Sequence, residues 1–257
     1  HPSFLQAGTV PTKDLLLWFD PTTDTYRTTD AASLQHVLDR ATINTDNAGA
    51  KINNYVLLNG AAFTILDGAM TCNCDGVDDY IGGDAVDTYV IDEPVTLDLE
   101  EDFSWIVWVN FTEANVGASN YVDLIGQGDS ALSGQSMSIM SDSEDNRSIQ
   151  ILGPSGDLTK TELGVSEGWN SIAYCKSNES KNVYFNAEYL TGYEPVSGSG
   201  FEPTDDNSDV EIGRIKNGTF KYRGVSKKFG PVLVYQKELS QSEVQQAHGA
   251  IRNRIRD

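Results

Sequence analysis

Nine consecutive residues, Phe103 to Phe111 (FSWIVWVNF), constrain this chain more than any other segment. Strand alternation puts Phe103, Trp105, Val107, Val109 and Phe111 on one face. Ser104, Ile106, Trp108 and Asn110 fall on the other. Both faces carry large apolar groups, so this strand is expected in the middle of a sheet covered on both sides.

The surrounding sequence repeats the strand pattern in weaker form. Short apolar runs alternate and are punctuated by Gly, Asn and Asp. Expected strands are Leu15 to Phe19, Phe63 to Leu66, Ala69 to Asp75, Tyr80-Ile81, Val95 to Leu99, Tyr121 to Gly126 and Gln135 to Ser141. Ser148 to Leu152, Ser171 to Cys175, Val183 to Asn186, Val210 to Ile215, Phe220 to Gly224 and Gly230 to Gln236 follow. Asn217-Gly218 is a hairpin dipeptide joining two of them. Residues 33–40 read as a loop with one turn, and 41–62 are ambiguous. The period changes in the tail. Ser240-Gln241-Ser242-Glu243 is a capping box, followed by Val244, Ala247, His248 and Ile251 at helical spacing. Arg252, Arg254 and Arg256 stand where the helix dipole favours positive charge. The expectation is an all-β chain: an antiparallel β-sandwich of jelly-roll type with a short C-terminal helix. A length of 257 residues suits one such domain. Its span is 15–257, after a polar N-terminal arm over 1–14.

Charge narrows the function classes. The net charge is −20, which argues against general nucleic-acid binding, since that rests on Lys and Arg neutralising phosphates. It also disfavours an anionic membrane surface. No apolar run approaches the ~18–20 residues of a membrane span. Residues 1–205 hold 8 basic and 32 acidic groups, a net of −24. Residues 206–257 hold 10 and 6, a net of +4. Six of those basic residues lie close together: Arg214, Lys216, Lys221, Arg223, Lys227 and Lys228. They either fold onto acidic neighbours within the domain, form a head-to-tail contact between copies, or hold a polyanion.

Cys72 and Cys74 are two apart, so on a strand they face the same way and a disulfide between them is sterically poor. Either could pair with Cys175, leaving an odd thiol. Three cysteines do not resemble a disulfide framework. They read as buried thiols, which suits a reducing compartment. Zinc would need a fourth ligand, and His1, His36 and His248 are scattered.

Five features in order resemble the laminin-G-like, concanavalin A-like jelly rolls. They are Leu15-Leu16-Leu17-Trp18-Phe19-Asp20; the turn Cys74-Asp75-Gly76-Val77-Asp78-Asp79-Tyr80-Ile81; and the strand Asp102-Phe103-Ser104-Trp105. Gly168-Trp169-Asn170-Ser171-Ile172-Ala173-Tyr174 with Val183-Tyr184-Phe185-Asn186 is the fourth. Glu211-Ile212-Gly213-Arg214 through Phe229-Gly230-Pro231 to Glu238-Leu239-Ser240-Gln241-Ser242-Glu243 is the fifth. The resemblance spans residues 15–255. One departure is Ala187 after Asn186, where the family usually has Gly.

Some members of this fold are glycoside hydrolases, whose chemistry needs two carboxylates flanking a sugar bond. The Glu-x-Asp-x-x-Glu spacing of the glucanase branch is not found, and Asp98-Leu99-Glu100 is its nearest fragment. No P-loop or dinucleotide fingerprint occurs. The chain is therefore expected not to be an enzyme. Carbohydrate binding would use aromatics at strand ends or loops: Tyr121, Tyr193 and Phe201. Asp75, Asp78 and Asp79 read first as turn acceptors and second as calcium ligands. Asp123, Gln127 and Asp129 are a further candidate loop site.

Isolated jelly rolls of this kind are frequent in bacteriophage and other viral structural proteins. The resemblance thus implies a non-enzymatic virion-surface decoration or appendage protein. Its partners would be itself, other virion subunits and host-surface glycans, without nucleic acid or membrane insertion. The alternative is a lectin-like module of a secreted or cell-surface protein, which would be extracellular.

Overall fold

A computed structural model describes residues 9–22, 25–26, 35–38, 54–58, 61–66, 69–74, 80–82, 95–111, 120–128, 133–141, 147–153, 156–160, 168–177, 180–190, 194–195, 208–213, 215–217, 219–221 and 227–255. Two antiparallel sheets make a sandwich. The first contains β1 (Leu15–Phe19), β5 (Ala62–Leu66), β6 (Ala69–Cys74), β8 (Phe103–Phe111), β13 (Gly168–Lys176), β14 (Lys181–Phe185), β15 (Glu188–Tyr189) and β20 (Lys227–Tyr235). Their order is β15-β14-β13-β8-β20-β6-β5, with β1 also beside β20. The second contains β2 (Thr25–Tyr26), β3 (Gln35–Leu38), β4 (Asn54–Leu58), β7 (Tyr80–Gly82), β9 (Asn120–Gln127), β10 (Gln135–Ser141) and β11 (Arg147–Gly153). It is completed by β12 (Gly156–Lys160), β16 (Glu194–Pro195) and β17 (Val210–Ile212). Its order is β16-β12-β11-β10-β9-β17-β7-β4-β3-β2. A separate hairpin pairs β18 (Ile215–Asn217) with β19 (Thr219–Lys221), Asn217 standing opposite Thr219. Helix α1 (Gln241–Arg252) follows β20.

Strand β8 sits where its two apolar faces require. It pairs with β13 on one side and β20 on the other. One face puts Phe103, Trp105, Val107 and Val109 into the core between the sheets. There Phe103, Trp105 and Tyr174 rings meet at 5.1–6.1 Å. The other face puts Ile106 and Trp108 against Leu233, Tyr235, Ala173 and α1. The second edge of β20 is shared: Lys227 to Phe229 pair with β6, and Val232 to Tyr235 pair with β1. The register shift between Phe229 and Val232 contains Pro231, which has no N–H to give a ladder. A Cβ on Gly230 would come within 3.0 Å of the Trp169 ring, so the glycine lets the indole lie against the strand.

The helix forms as its sequence demands. Ser240 receives the Glu243 N–H, and the Glu243 carboxylate receives the Ser240 N–H at 2.9 Å. Val244, Ala247, Ala250 and Ile251 are buried against the first sheet. Arg254 closes the far end with an ion pair to buried Asp20 at 2.8 Å, its guanidinium 5.7 Å from the Trp18 ring centre. Of the expected arm, residues 9–14 run along this same side. Val10 is buried in the helix-side cluster. The Thr9 carbonyl accepts from Gln246, and the Pro11 carbonyl accepts from the Tyr235 hydroxyl. Residues 1–8 lie outside the described residues.

The cysteines are free and buried. Cys72 and Cys74 face the inter-sheet core and Cys175 the helix side. Burial pushes the Cys72 thiol up and the Cys175 thiol to about 12, so neither is a ready thiolate.

Two expectations are corrected. Residues 35–38 form strand β3, paired with β4 and β2, rather than a turn. Val95 to Leu99 is extended but joins neither ladder. Val95, Leu97 and Leu99 are buried, as alternation implies. The backbone groups between them are closed mostly by side chains. Gln127 accepts from Leu97 N–H and donates to Leu97 C=O, both at 2.8 Å. Gln236 accepts from Asp98 N–H and donates to the carbonyls of Asp98 and Asp102. Lys176, with no exposed surface, donates to the carbonyls of Leu99, Glu100 and Glu101 at 3.1, 3.2 and 3.3 Å.

Gln127→Leu keeps the side chain's bulk and leaves the buried Leu97 N–H and C=O unmet. Each unmet group costs ~1–3 kcal/mol. The variant should therefore unfold in urea with a stability lower by about 2–4 kcal/mol, measured by circular dichroism.

Candidate functional site

The second sheet turns its core face inward through Leu124, Ile125, Met137, Ile139, Ile149 and Ile151. The residues between them form a polar face. Ser138 on β10 stands opposite Asp123 on β9 and Gln150 on β11. Positions 159 on β12 and 194 on β16 continue this row by register. Ser136 lies one step along it, opposite Gly126 and Leu152. Ser148 lies one step the other way, opposite Met140. Asp123, Ser136, Ser138 and Ser148 are all buried.

Local structure aims this face. The register slips at β9–β10: Met137 pairs with Ile125 and Ser138 with Asp123, leaving Leu124 as the extra residue. Such a bulge bends the strand and re-aims side chains. The Leu124 carbonyl is met instead by Gly213 N–H at 2.8 Å. Gly213 has φ of +83°, which suits glycine, and it ends β17 so that the chain can turn into β18. The β18–β19 hairpin then packs against β9 and β10.

The hydroxyls of Ser136, Ser138 and Ser148 are buried and meet no hydrogen-bond partner. A buried hydroxyl left unmet costs ~1–3 kcal/mol. Three such groups stand on one face of the adjacent strands β10 and β11. The β10 alternation Ser136-Met137-Ser138-Ile139 announces a polar face, but not that it is buried.

The structure brings some expected site residues together. Tyr121 lies on β9, two positions before Asp123 and opposite Met140. Positions 216 and 221 lie on the hairpin that packs against these strands. Lys227 and Lys228 instead lie on β20 in the first sheet, opposite Cys74 and Asn73, so the basic stretch is split between the sheets. Gln127 is taken up by Leu97 rather than free for a ligand. Tyr193, Phe201, Asp75, Asp78, Asp79, Arg214, Arg223 and Asp129 lie outside the described residues. Among the described residues, no group of three His, Cys, Asp or Glu side chains could hold a metal ion.

No protein-family model and no curated protein sequence matches the chain. Solved structures do. A Trypanosoma rangeli sialidase in complex with sialic acid matches with a TM-score of 0.59 at 12% identity, over 95% of this chain and 34% of that one. The binding domain of Paraclostridial Mosquitocidal Protein 1 matches at 0.55 and 12%, over 92% and 52%. The receptor binding domain of a botulinum neurotoxin C/D mosaic serotype matches at 0.58 and 11%, over 93% and 51%. The chain has a lectin-like jelly-roll fold. It spans between a third and about half of the solved chains it resembles.

One Ser–His contact stands on the opposite sheet. Ser171 Oγ lies 2.7 Å from His248 Nδ1, and the imidazole stacks on Trp108 at 4.8 Å. Burial, helped by Arg252 one turn on, lowers the His248 pKa to about 4. An imidazole that resists protonation is a weak base for a serine shut beneath a helix. This contact docks α1 onto β13 and β8.

The folded His248 pKa lies below its unfolded value of 6.5. Its contribution is therefore fully present above pH 6.5 and fades as pH falls through about 4. Between pH 7 and pH 4 the wild-type chain should lose ~2 kcal/mol more stability than His248→Phe, measured by urea unfolding at both pH values.

Proposed function

We propose that this chain is a non-enzymatic glycan-binding module displayed on a larger assembly, a virion surface or its appendage. The observation that carries the reading is the row of buried, unmet serine hydroxyls in register with Asp123 and Gln150. A saccharide offers alternating donors and acceptors at hydroxyl spacing, which is what such a face lacks. Carboxylate, amide and hydroxyl groups on rigid strands are the usual polar fixtures of a sugar site. Tyr193 and Phe201 remain proposed ligand aromatics beside Tyr121, and calcium at Asp75, Asp78 and Asp79 a proposed aid. The split charge supports assembly of copies through the basic segment.

The second reading places the same module on a secreted or cell-surface protein. Its support is that two of the similar structures are the binding domain of a mosquitocidal protein and the receptor binding domain of a neurotoxin.

Ser138→Ala separates binding from folding. Removing an unmet hydroxyl should raise stability by up to ~1 kcal/mol while reducing glycan binding at least about tenfold. A glycan array with and without calcium, alongside thermal melting, measures both. An array silent for the wild-type chain, or unchanged by Ser138→Ala, sinks this site. Light scattering at low and high salt tests assembly: the proposal expects an oligomer that loosens as salt rises, and a monomer throughout refutes it.

A further inference from the structure

The edge of the first sheet carries a second polar and aromatic surface. Strand β14 turns through Asn186 and Ala187, both at positive φ (49° and 66°). Two consecutive left-handed residues make the tight hairpin that the strand twist favours. Ala187 bears the cost of that conformation for a residue with a Cβ, and its methyl joins the helix-side cluster. The hairpin brings Tyr189 directly opposite Tyr184.

Tyr189 is 46% exposed and is the one large hydrophobic side chain so exposed among the described residues. Its ring lies 5.6 Å from that of Tyr184, tilted by 57°, so the buried Tyr184 ring backs the exposed one. Burial, with Cys175, Glu238 and Tyr189 close by, pushes the Tyr184 phenol up to about 12. It therefore stays protonated.

A polar group sits beside the rings. Position 182 is two residues along β14 from Tyr184, so Asn182 points to the same face. The Asn182 amide donates to Glu238 Oε1 at 2.9 Å, and the Ser180 hydroxyl donates to the same oxygen. Asn182 also donates to Ser180 Oγ at 3.2 Å. These bonds hold the Glu238 carboxylate in place and leave its other oxygen to accept from a ligand. An exposed ring, a fixed carboxylate and an amide are complementary to a pyranose, with its apolar C–H face and hydroxyl rim.

We infer that Tyr189, with Tyr184, Asn182, Ser180 and Glu238, forms a second saccharide subsite, selective for neutral or amine-bearing sugars. The selectivity follows from charge. Glu238 bounds the polar side, and the whole chain carries −20. An anionic sugar would be repelled there. An uncharged or cationic one would not. The inference rests on the glycan-binding reading and adds a location and a ligand class.

The test uses the full chain and an array of neutral, amino-sugar and sialylated oligosaccharides. Wild type, Tyr189→Ala, Tyr189→Phe, Glu238→Gln and Ser138→Ala are compared. Binding of neutral or amino sugars should fall roughly tenfold or more in Tyr189→Ala and persist in Tyr189→Phe. Melting of Tyr189→Ala at this sheet edge should stay near wild type, so the loss is not unfolding. Glu238→Gln should weaken amine-bearing sugars most. Three results overturn the subsite: unchanged binding in Tyr189→Ala, Tyr189-dependent binding of sialylated glycans, or a fall in oligomer mass with Tyr189→Ala while glycan binding holds. Glycan binding that Ser138→Ala abolishes and Tyr189→Ala spares removes this subsite and leaves the parent reading standing. A wild-type chain that binds no glycan removes both.

Discussion

Everything in this fold depends on how residues 95–102 are closed. This strap bends at Leu99 to Glu101 and buries Val95, Leu97 and Leu99 in the core. It belongs to neither ladder, so its backbone must find partners elsewhere. Gln127 reaches it from the second sheet, Lys176 from the first, and Gln236 from just beyond β20. The strap is thereby a cross-tie between the layers. Lys176 is the unusual member, because burying an ammonium without compensation is very costly. Here three carbonyl dipoles converge on Nζ, and the Phe103 ring centre lies 5.7 Å away. The arrangement does locally what a bound cation does between loop carbonyls, with the cation supplied by the chain.

That cross-tie explains both what the sequence revealed and what it concealed. Alternation in Val95 to Leu99 correctly signalled extended chain with one buried side. It could not say which groups receive the backbone hydrogen bonds, because those partners lie tens of residues away. The same limit applies at residues 35–38. Their pattern, Gln35-His36-Val37-Leu38, is too short and polar to announce a strand, and only pairing with β4 makes it one. By contrast, β8, β13 and β20 were legible because burial on both faces leaves near-continuous apolar runs. Helix α1 was legible because its start signal is local: Ser240 and Glu243 need only each other.

The candidate sites were less legible for a related reason. Strand β10 showed its serines by alternation, yet alternation usually means a wet face. Whether the hydroxyls are wet or dry is decided by tertiary packing. Tyr189 was overlooked because β15 is two residues long and follows a turn lacking its customary glycine. The signal was nonetheless present. A two-residue turn at Asn186-Ala187 returns position 189 opposite 184, placing two tyrosines side by side.

The two sides of the molecule differ in how their serine hydroxyls are met, although buried indole N–H groups of Trp105, Trp108 and Trp169 on the first sheet also meet no partner. On the first sheet, Ser104 both donates to the Lys237 carbonyl and accepts from Leu239 N–H. Ser171 meets His248, and Asn186 meets Ser171 N–H and Asn170. Those contacts fix the helix and the turns. On the second sheet, serines of the same size and burial meet nothing. Alanine at those positions would fit the same space without an unmet hydroxyl, so on stability alone the serines are the poorer choice. Proteins commonly retain such local costs where binding needs the group. That difference in the hydroxyls is why the proposed binding face is set on the second sheet, with the proposed second subsite on the rim of the first.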